Sequence, residues 1–255
     1  MKRYLAGAAL LLAILAQATA LDASRIGGWA TKLSEAMNES RPAALAQLQR
    51  ELADEVAAQP NDLGLATELG IVYHNLSRAQ NAKKGYAAQA VQLLEKVVKG
   101  PSDEELKVFA LPYLGSALAL EARDSANPLA KIGLVNKGIA SLDEAVSKYG
   151  RVSYIPRLLR ANVGMSLPDF FRQLDKAGAD LQALDAWGVD AWGADDATVM
   201  TPGTLSLVED LLGNYYKKKG QIDKAETAWK KSVALDPQGK GAGADAAKSL
   251  AIYAR

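Results

Sequence analysis

The chain has 255 residues, of which 49% are hydrophobic, and it carries 30 basic and 29 acidic side chains, one histidine and no cysteine. The near-neutral net charge of +1 argues against a dedicated nucleic-acid binder, which needs a basic excess. The missing cysteines exclude disulfides, thiolate nucleophiles and thiolate metal sites, so stability must come from packing of a hydrophobic core.

The first twenty residues have the three parts of a secretory signal peptide. Lys2 and Arg3 precede an apolar run at residues 5–15, and small residues at Ala18 and Ala20 suit signal peptidase. We predict cleavage after Ala20, or alternatively after Ala18, and a periplasmic or secreted protein. An uncleaved anchor is the alternative, although a membrane span needs roughly 20 apolar residues. No later stretch approaches that length, so we expect no membrane span after cleavage.

Apolar residues recur at helical spacing along nearly the whole chain, which predicts an all-α protein. The clearest segment is LVEDLLGNYYKKKGQIDKAETAWKKSVALDP, residues 207–237. Its small residues, Gly213 and Ala225, allow two antiparallel helices to approach closely. Tyr216 and Trp229 fill the space beside them. This segment resembles a tetratricopeptide repeat.

The same order of small and large residues recurs earlier, so the resemblance covers residues 63–237. The four repeats lie at residues 63–101, 104–150, 153–187 and 204–237. From Gly213 to Ala225 is 12 positions, but from Gly115 to Gly138 is 23, which leaves eleven extra residues in the second repeat. Shared by two helices, they add about 8 Å to each. We therefore expect a protruding hairpin around residues 119–133, with Asn127 as the N-cap of its second helix.

The resemblance implies an all-α, right-handed superhelical solenoid of antiparallel helix pairs. An N-terminal helical segment, residues 21–62, precedes the repeats, and a capping helix lies within residues 238–255. Residues 188–203 are predicted to form an insertion loop, because connections between helices usually have about 2–8 residues.

The insertion begins in a repeated motif, DAWGVDAWGADD, at residues 185–196. Calcium loops place acids at alternating positions around a tight glycine, and the five-residue period seen here does not match. We expect no metal. Trp187 and Trp192 are interpreted either as anchors packed over the junction of the third and fourth repeats or as an aromatic platform for a ligand.

In the family, the first helices of the repeats line a concave groove. The resemblance places nine candidate binding residues there or at its mouth: Thr67, Ile71, His74, Ser116, Asn162, Trp187, Trp192, Asn214 and Lys217. The hairpins around residues 76–85 and 119–133 would wall one side. The family's carboxylate-clamp pattern of lysine and asparagine on successive first helices is not present, so that mode of binding gets no support.

His74 is the only histidine. It is either a pH-sensitive groove contact or a partly exposed residue with no role. Six lysines between positions 217 and 231 make the last repeat basic, which suits a solvated surface or an anionic partner. The supply of nucleophiles, bases and metal ligands is thin, and no phosphate-binding glycine loop occurs, so we expect neither an enzyme nor a cofactor or metal site.

These observations favour an exported interaction module, an adaptor or scaffold, that binds a protein segment or peptide of the cell envelope in its groove. The alternative is a periplasmic small-molecule or lipid-binding accessory protein of a transport system. The sequence indicates no nucleic-acid partner and leaves the oligomeric state open.

Overall fold

The computed structural model describes residues 42–78, 82–191 and 200–253, and these contain ten α-helices, one short 3₁₀ helix and no strand. The all-α prediction is confirmed for this part of the chain. The expected signal peptide and Trp192 lie outside the described residues. None of the described helices is both long and apolar enough to cross a bilayer. The α-helices, in chain order, are α1 Pro42–Ala58, α2 Leu63–Arg78, α3 Tyr86–Lys99, α4 Glu104–Asp124, α5 Pro128–Tyr149, α6 Ile155–Ser166, α7 Leu174–Ala191, α8 Pro202–Lys218, α9 Ile222–Leu235 and α10 Ala242–Tyr253.

The chain divides into two compact units, Met1–Pro156 (unit 1) and Arg157–Arg255 (unit 2). In unit 1 each of α1 to α4 packs on the next helix, and α2 also contacts α4. In unit 2, α7 packs on α8, α8 on α9 and α9 on α10, and α8 also contacts α10. Within each unit, therefore, neighbouring helices pack in pairs and alternate helices touch as well.

The helix pairs interlock through a glycine on the first helix and a large side chain on the second. A Cβ added to Gly70 would lie 2.8 Å from Leu94 Cγ, and one added to Gly115 would lie 2.7 Å from Leu142 Cγ. A Cβ added to Gly213 would overlap Trp229 Nε1. On each second helix the large residue follows a small residue by four positions, about one turn: Leu94 follows Ala90, Leu142 follows Gly138, and Trp229 follows Ala225. The predicted role of the small residues is confirmed.

The long hairpin predicted within residues 104–150 is present as α4 and α5. Helix α4 continues nine residues past Gly115, and α5 begins ten residues before Gly138. In the shorter hairpin, α8 continues only five residues past Gly213, and α9 begins only three residues before Ala225. The connecting turns have equal length, so the extra residues are all helical. As predicted, Asn127 caps α5, and its side chain accepts hydrogen bonds from the backbone N–H groups of Leu129 and Ala130.

The start of the expected insertion differs from the prediction. Helix α7 runs to Ala191, so Gly188 is helical and buried rather than the first residue of a loop. It lies one turn after the buried Leu184, and a Cβ at 188 would meet Leu205 of α8. Gly188, which was expected to end α7, is instead a position where α7 and α8 approach each other closely. At the other end, Pro202 already begins α8.

Candidate functional site

Four of the nine candidate groove residues are buried inside unit 1. They are Thr67, Ile71, His74 and Ser116. The first three lie on α2, which is buried from Gly64 to Ser77 and packs against α1, α3 and α4. The side chains of α2 therefore do not line an open groove, because three neighbouring helices already pack against this helix. Thr67 instead donates its hydroxyl hydrogen bond to the backbone carbonyl of Leu63 at 2.8 Å.

The buried His74 bridges α2 and α4. Its Nε2 lies 2.8 Å from Ser116 Oγ, and its ring packs in a T-shaped arrangement with Tyr113 at a centroid distance of 5.0 Å. Burial, with a smaller effect of the Arg78 charge, lowers the pKa of His74 to about 3, so the ring is neutral at pH 7. Both interpretations of His74 as an exposed residue are replaced by an interhelical contact.

A serine–histidine contact also occurs in hydrolytic triads, where a carboxylate orients the histidine and the serine is open to substrate. Here His74 Nδ1 has no hydrogen-bond partner in the described part of the chain, and both side chains are buried. This arrangement supports a packing role for His74 and Ser116, since a substrate could not reach the hydroxyl.

Two further candidates, Asn214 and Lys217, lie in unit 2 at a surface that we call the tyrosine–lysine surface. It consists of Asn214, Tyr216, Lys217, Lys224 and Tyr253. The Lys217 ammonium lies 5.0 Å from the ring centroid of Tyr253, and that of Lys224 lies 5.5 Å from Tyr216. Both rings are half-buried and pack against the core that surrounds Trp229. Cation–π contacts therefore hold two exposed ammonium groups over tyrosine rings that are themselves packed against the core.

The two cations of this surface differ from the other lysines nearby. Lys219 pairs with Asp175, Lys230 with Glu226, and Lys231 with Asp185 and Glu209, while Lys218 donates to the backbone carbonyl of Met165. Neither Lys217 nor Lys224 forms an ion pair with another described residue. Their charges are thus available to a partner that carries carboxylates.

Helix α10 borders the tyrosine–lysine surface and supplies Tyr253. Beneath this surface, the Asn214 amide donates to Asp210 Oδ2 at 3.1 Å. Asp210 is buried, and its Oδ1 has no partner among the described residues. Burial, together with the charge of Asp245 on α10, raises the pKa of Asp210 to about 6. The side-chain NH₂ group of Asn214 is therefore already hydrogen-bonded to a buried carboxyl group.

A group of charged side chains, of which Glu209 is buried, joins α7, α8 and α9. Lys231 Nζ lies 3.2 Å from Glu209 Oε1 and 3.4 Å from Asp185 Oδ1. Burial, and then the hydrogen bond and charge of Asp185, raise the pKa of Glu209 to about 7, although Lys231 opposes this. No local sequence pattern indicates this contact, because the three residues lie on three different helices.

The other two described candidates, Asn162 and Trp187, lie on α6 and α7 of unit 2. Asn162 is half-buried on α6, and its backbone carbonyl accepts a hydrogen bond from Ser166. Trp187 is half-buried on α7, which fits both the anchor and the platform interpretation. Over the described ranges, no three histidine, aspartate or glutamate side chains are arranged to hold a metal ion.

Sequence reasoning missed a buried ion pair between α6 and α7. Asp180 accepts hydrogen bonds from Arg160 Nε at 2.6 Å and Nη2 at 2.9 Å, and from Arg157 Nη1 at 2.9 Å. Arginines at positions i and i+3 of one helix share a face, which was the available signal. With Asp180 only 1% exposed, this cluster fixes the two helices rather than offering a binding site.

Comparison of the chain with protein-family models, with curated proteins and with solved structures finds no match in any of the three.

Proposed function

We propose that this chain is an interaction module, an adaptor or scaffold, that binds a protein segment rather than catalysing a reaction. The observation that carries the proposal is the tyrosine–lysine surface. There, two cations without an ion-pair partner among the described residues lie over two half-buried tyrosine rings. Tyrosine is among the residues that dominate the energy of protein interfaces. Charged side chains at an interface favour partners of opposite charge and speed their association.

The chemistry of this surface favours a segment with carboxylate groups. Lys217 and Lys224 would supply the charge, while the rings of Tyr216 and Tyr253 offer flat apolar contact at little cost in side-chain entropy. The Tyr216 hydroxyl also accepts a long hydrogen bond of 3.4 Å from Gln182, which helps to fix its ring. The repeat-like helix pairs support the same function, since they give a rigid scaffold for such a surface.

The proposal can be tested by site-specific photo-crosslinking in cells that produce the full chain. A benzoylphenylalanine at Gln221, an exposed residue at the start of α9, should give one discrete protein adduct. The same probe at Ala140, an exposed residue of unit 1, should not. The adduct at 221 should disappear in K217E/K224E and persist in K230E/K240E, which has the same change of charge.

Adduct formation that is unchanged in K217E/K224E would contradict the proposal, as would the absence of any adduct. Purified protein that carries a co-purified small molecule and yields no adduct would instead favour the carrier hypothesis.

We also propose that the protein is exported, on the basis of residues 1–20. The mass of the chain recovered from the periplasmic fraction or the medium tests this. Loss of residues 1–20, or of residues 1–18, is expected. An intact N-terminus in the cytoplasmic fraction would contradict it.

A further inference from the structure

The two hairpin turns of unit 1 lie at the same end of the unit, because α2 and α4 run parallel. Two contacts show the register. His74 lies beside Ser116, and three residues further along α2, the carbonyl of Ser77 accepts a hydrogen bond of 2.9 Å from Arg123 Nη2. Both helices therefore end at this end of the unit. We call it the turn end; its described residues are 76–78, 82–91 and 119–137.

The turn end carries an excess of positive charge. Residues 76–91 contain three basic side chains and no acidic one, and residues 119–137 contain three basic and two acidic ones. Asp124 is paired with Arg123, and Glu121 interacts with Lys137. Four exposed cations form no ion pair with any described residue: Arg78, Lys83, Lys84 and Lys131.

The same end exposes aliphatic side chains at the start of α5. Leu129 is 80% exposed and Ile132 is 46% exposed, which places both among the most exposed large hydrophobic residues of the described chain. They are three positions apart and so share a helix face. All residues from Ala126 to Gly133 are exposed. This stretch of α5 has no counterpart in α3, which begins only four residues before its interlocking Ala90, so no neighbouring second helix covers it.

We propose that the turn end of unit 1 docks on an anionic lipid surface, with Leu129 and Ile132 inserted at the interface and the surrounding cations facing the headgroups. Apolar side chains enter the boundary between headgroups and acyl chains, and lysines and arginines beside them add attraction to anionic lipid. The tip side chains are aliphatic and cannot stack on nucleobases, so the observations favour lipid over a polynucleotide.

This inference concerns a surface of unit 1 and does not depend on the tyrosine–lysine surface of unit 2. The protein could anchor to a membrane and still lack the proposed peptide partner, or bind the peptide and ignore lipid. The two proposals can therefore fail separately.

The absence of cysteine allows a direct test of insertion. The full chain carrying L129C is labelled with the environment-sensitive dye NBD, and the matched control is I252C, at a residue that is 75% exposed in unit 2. We expect at least about a twofold rise in NBD emission for position 129 on adding vesicles that contain phosphatidylglycerol, and little change at position 252. Equal responses at the two positions, or none at 129, would overturn the proposal.

The contribution of the cations is tested by vesicle co-sedimentation of unlabelled full chain. K83E/K84E should weaken binding to phosphatidylglycerol vesicles by at least about tenfold, whereas K230E/K240E, with the same change of net charge, should bind like the wild type. Residues 1–41 are the same in every variant, so differences report on the substituted positions.

Two more measurements complete the test. Binding of the wild type should weaken as salt is raised and should be far weaker on pure phosphatidylcholine vesicles. Retention on mixed-sequence single-stranded DNA together with no vesicle binding would overturn the proposal in favour of a polynucleotide. Vesicle binding that is equal for K83E/K84E and the wild type would also overturn it.

Discussion

Gly213 of α8 lies against the indole of Trp229, so closely that a Cβ at position 213 would overlap the Trp229 Nε1 atom. The indole is fully buried, and its N–H finds no hydrogen-bond partner in the described part of the chain. Its position is therefore set by packing alone, and the bare surface of the glycine is what makes room for the ring.

We predict that G213A destabilises unit 2 by about 2 kcal/mol, because the added methyl group forces the indole or α8 to move. The control is G203A on the same helix, where the added Cβ has no neighbour nearer than 3.9 Å. G203A should change the free energy of unfolding by less than about 0.5 kcal/mol. Urea unfolding followed by tryptophan fluorescence measures both. Equal stability of the two variants would contradict the close contact.

The Asp180 carboxylate should be a strong determinant of how α6 packs on α7. D180A removes the acceptor shared by Arg157 and Arg160, and we expect a loss of about 3 kcal/mol of unfolding free energy, since breaking a buried ion pair leaves charge uncompensated. The control is D175A, whose carboxylate is 80% exposed and pairs with Lys219; it should cost less than about 1 kcal/mol. The prediction fails if the two variants unfold at the same urea concentration.

The imidazole of His74 should stay neutral across the physiological range. Because this is the only histidine, one-dimensional proton NMR of the untagged chain gives a single imidazole Cε1–H signal to follow. Burial and the nearby Arg78 lower the pKa to about 3, so the signal should not titrate between pH 8 and pH 5. A titration with a midpoint near 6.5 would show that the ring is solvated.

The same shift predicts how the stability of unit 1 depends on pH. The folded-state pKa lies below the ordinary value of 6.5, so as the pH falls the unfolded chain binds a proton that the folded chain does not. The contribution of His74 to stability is therefore present above pH 6.5 and is lost progressively down to about pH 3. H74N should make the free energy of unfolding less dependent on pH in this window.

Glu209 should act in the opposite direction in unit 2. Burial and Asp185 raise its pKa to about 7, so between its ordinary value of 4.5 and 7 the folded chain holds a proton that the unfolded chain has lost. The stability contributed by the protonated side chain is thus lost as the pH rises. E209Q keeps the shape without the titration, and its stability relative to the wild type should increase from pH 5 to pH 8. A constant difference would show that Glu209 titrates normally.

Much of the fold follows from local pattern. The closeness of Gly115 to Gly138 and the Asn127 cap were both predictable, because small residues at fixed spacing and a cap followed by proline have direct geometric meaning. The burial of α2 was not predictable from local pattern, since it depends on how α1 and α4 pack against this helix. The pairing of Arg160 with Asp180 is likewise a contact between helices. The spacing of Arg157 and Arg160 indicates that the two share a helix face, but not which carboxylate lies opposite them.

The candidate site shows the same division. Asn214 and Lys217 were identified by repeat register, but their companion Tyr253 lies on the capping helix, 36 positions after Lys217. Ser116 and His74 occupy the register positions equivalent to Asn214 and Lys217, counted from Gly115 and Gly70, and both are buried. Register indicates which helix face a residue occupies, whereas exposure depends on what packs over that face.

The interlocks at Gly70, Gly115 and Gly213 stay the same while the helices beyond them differ in length. Hairpin length is therefore a property that can be varied without disturbing the core. Since seven residues make nearly two helical turns, adding seven to each helix at the α4–α5 tip would keep the same faces inward and extend the hairpin by about 10 Å. The chain thus offers its own place for carrying a grafted helical segment.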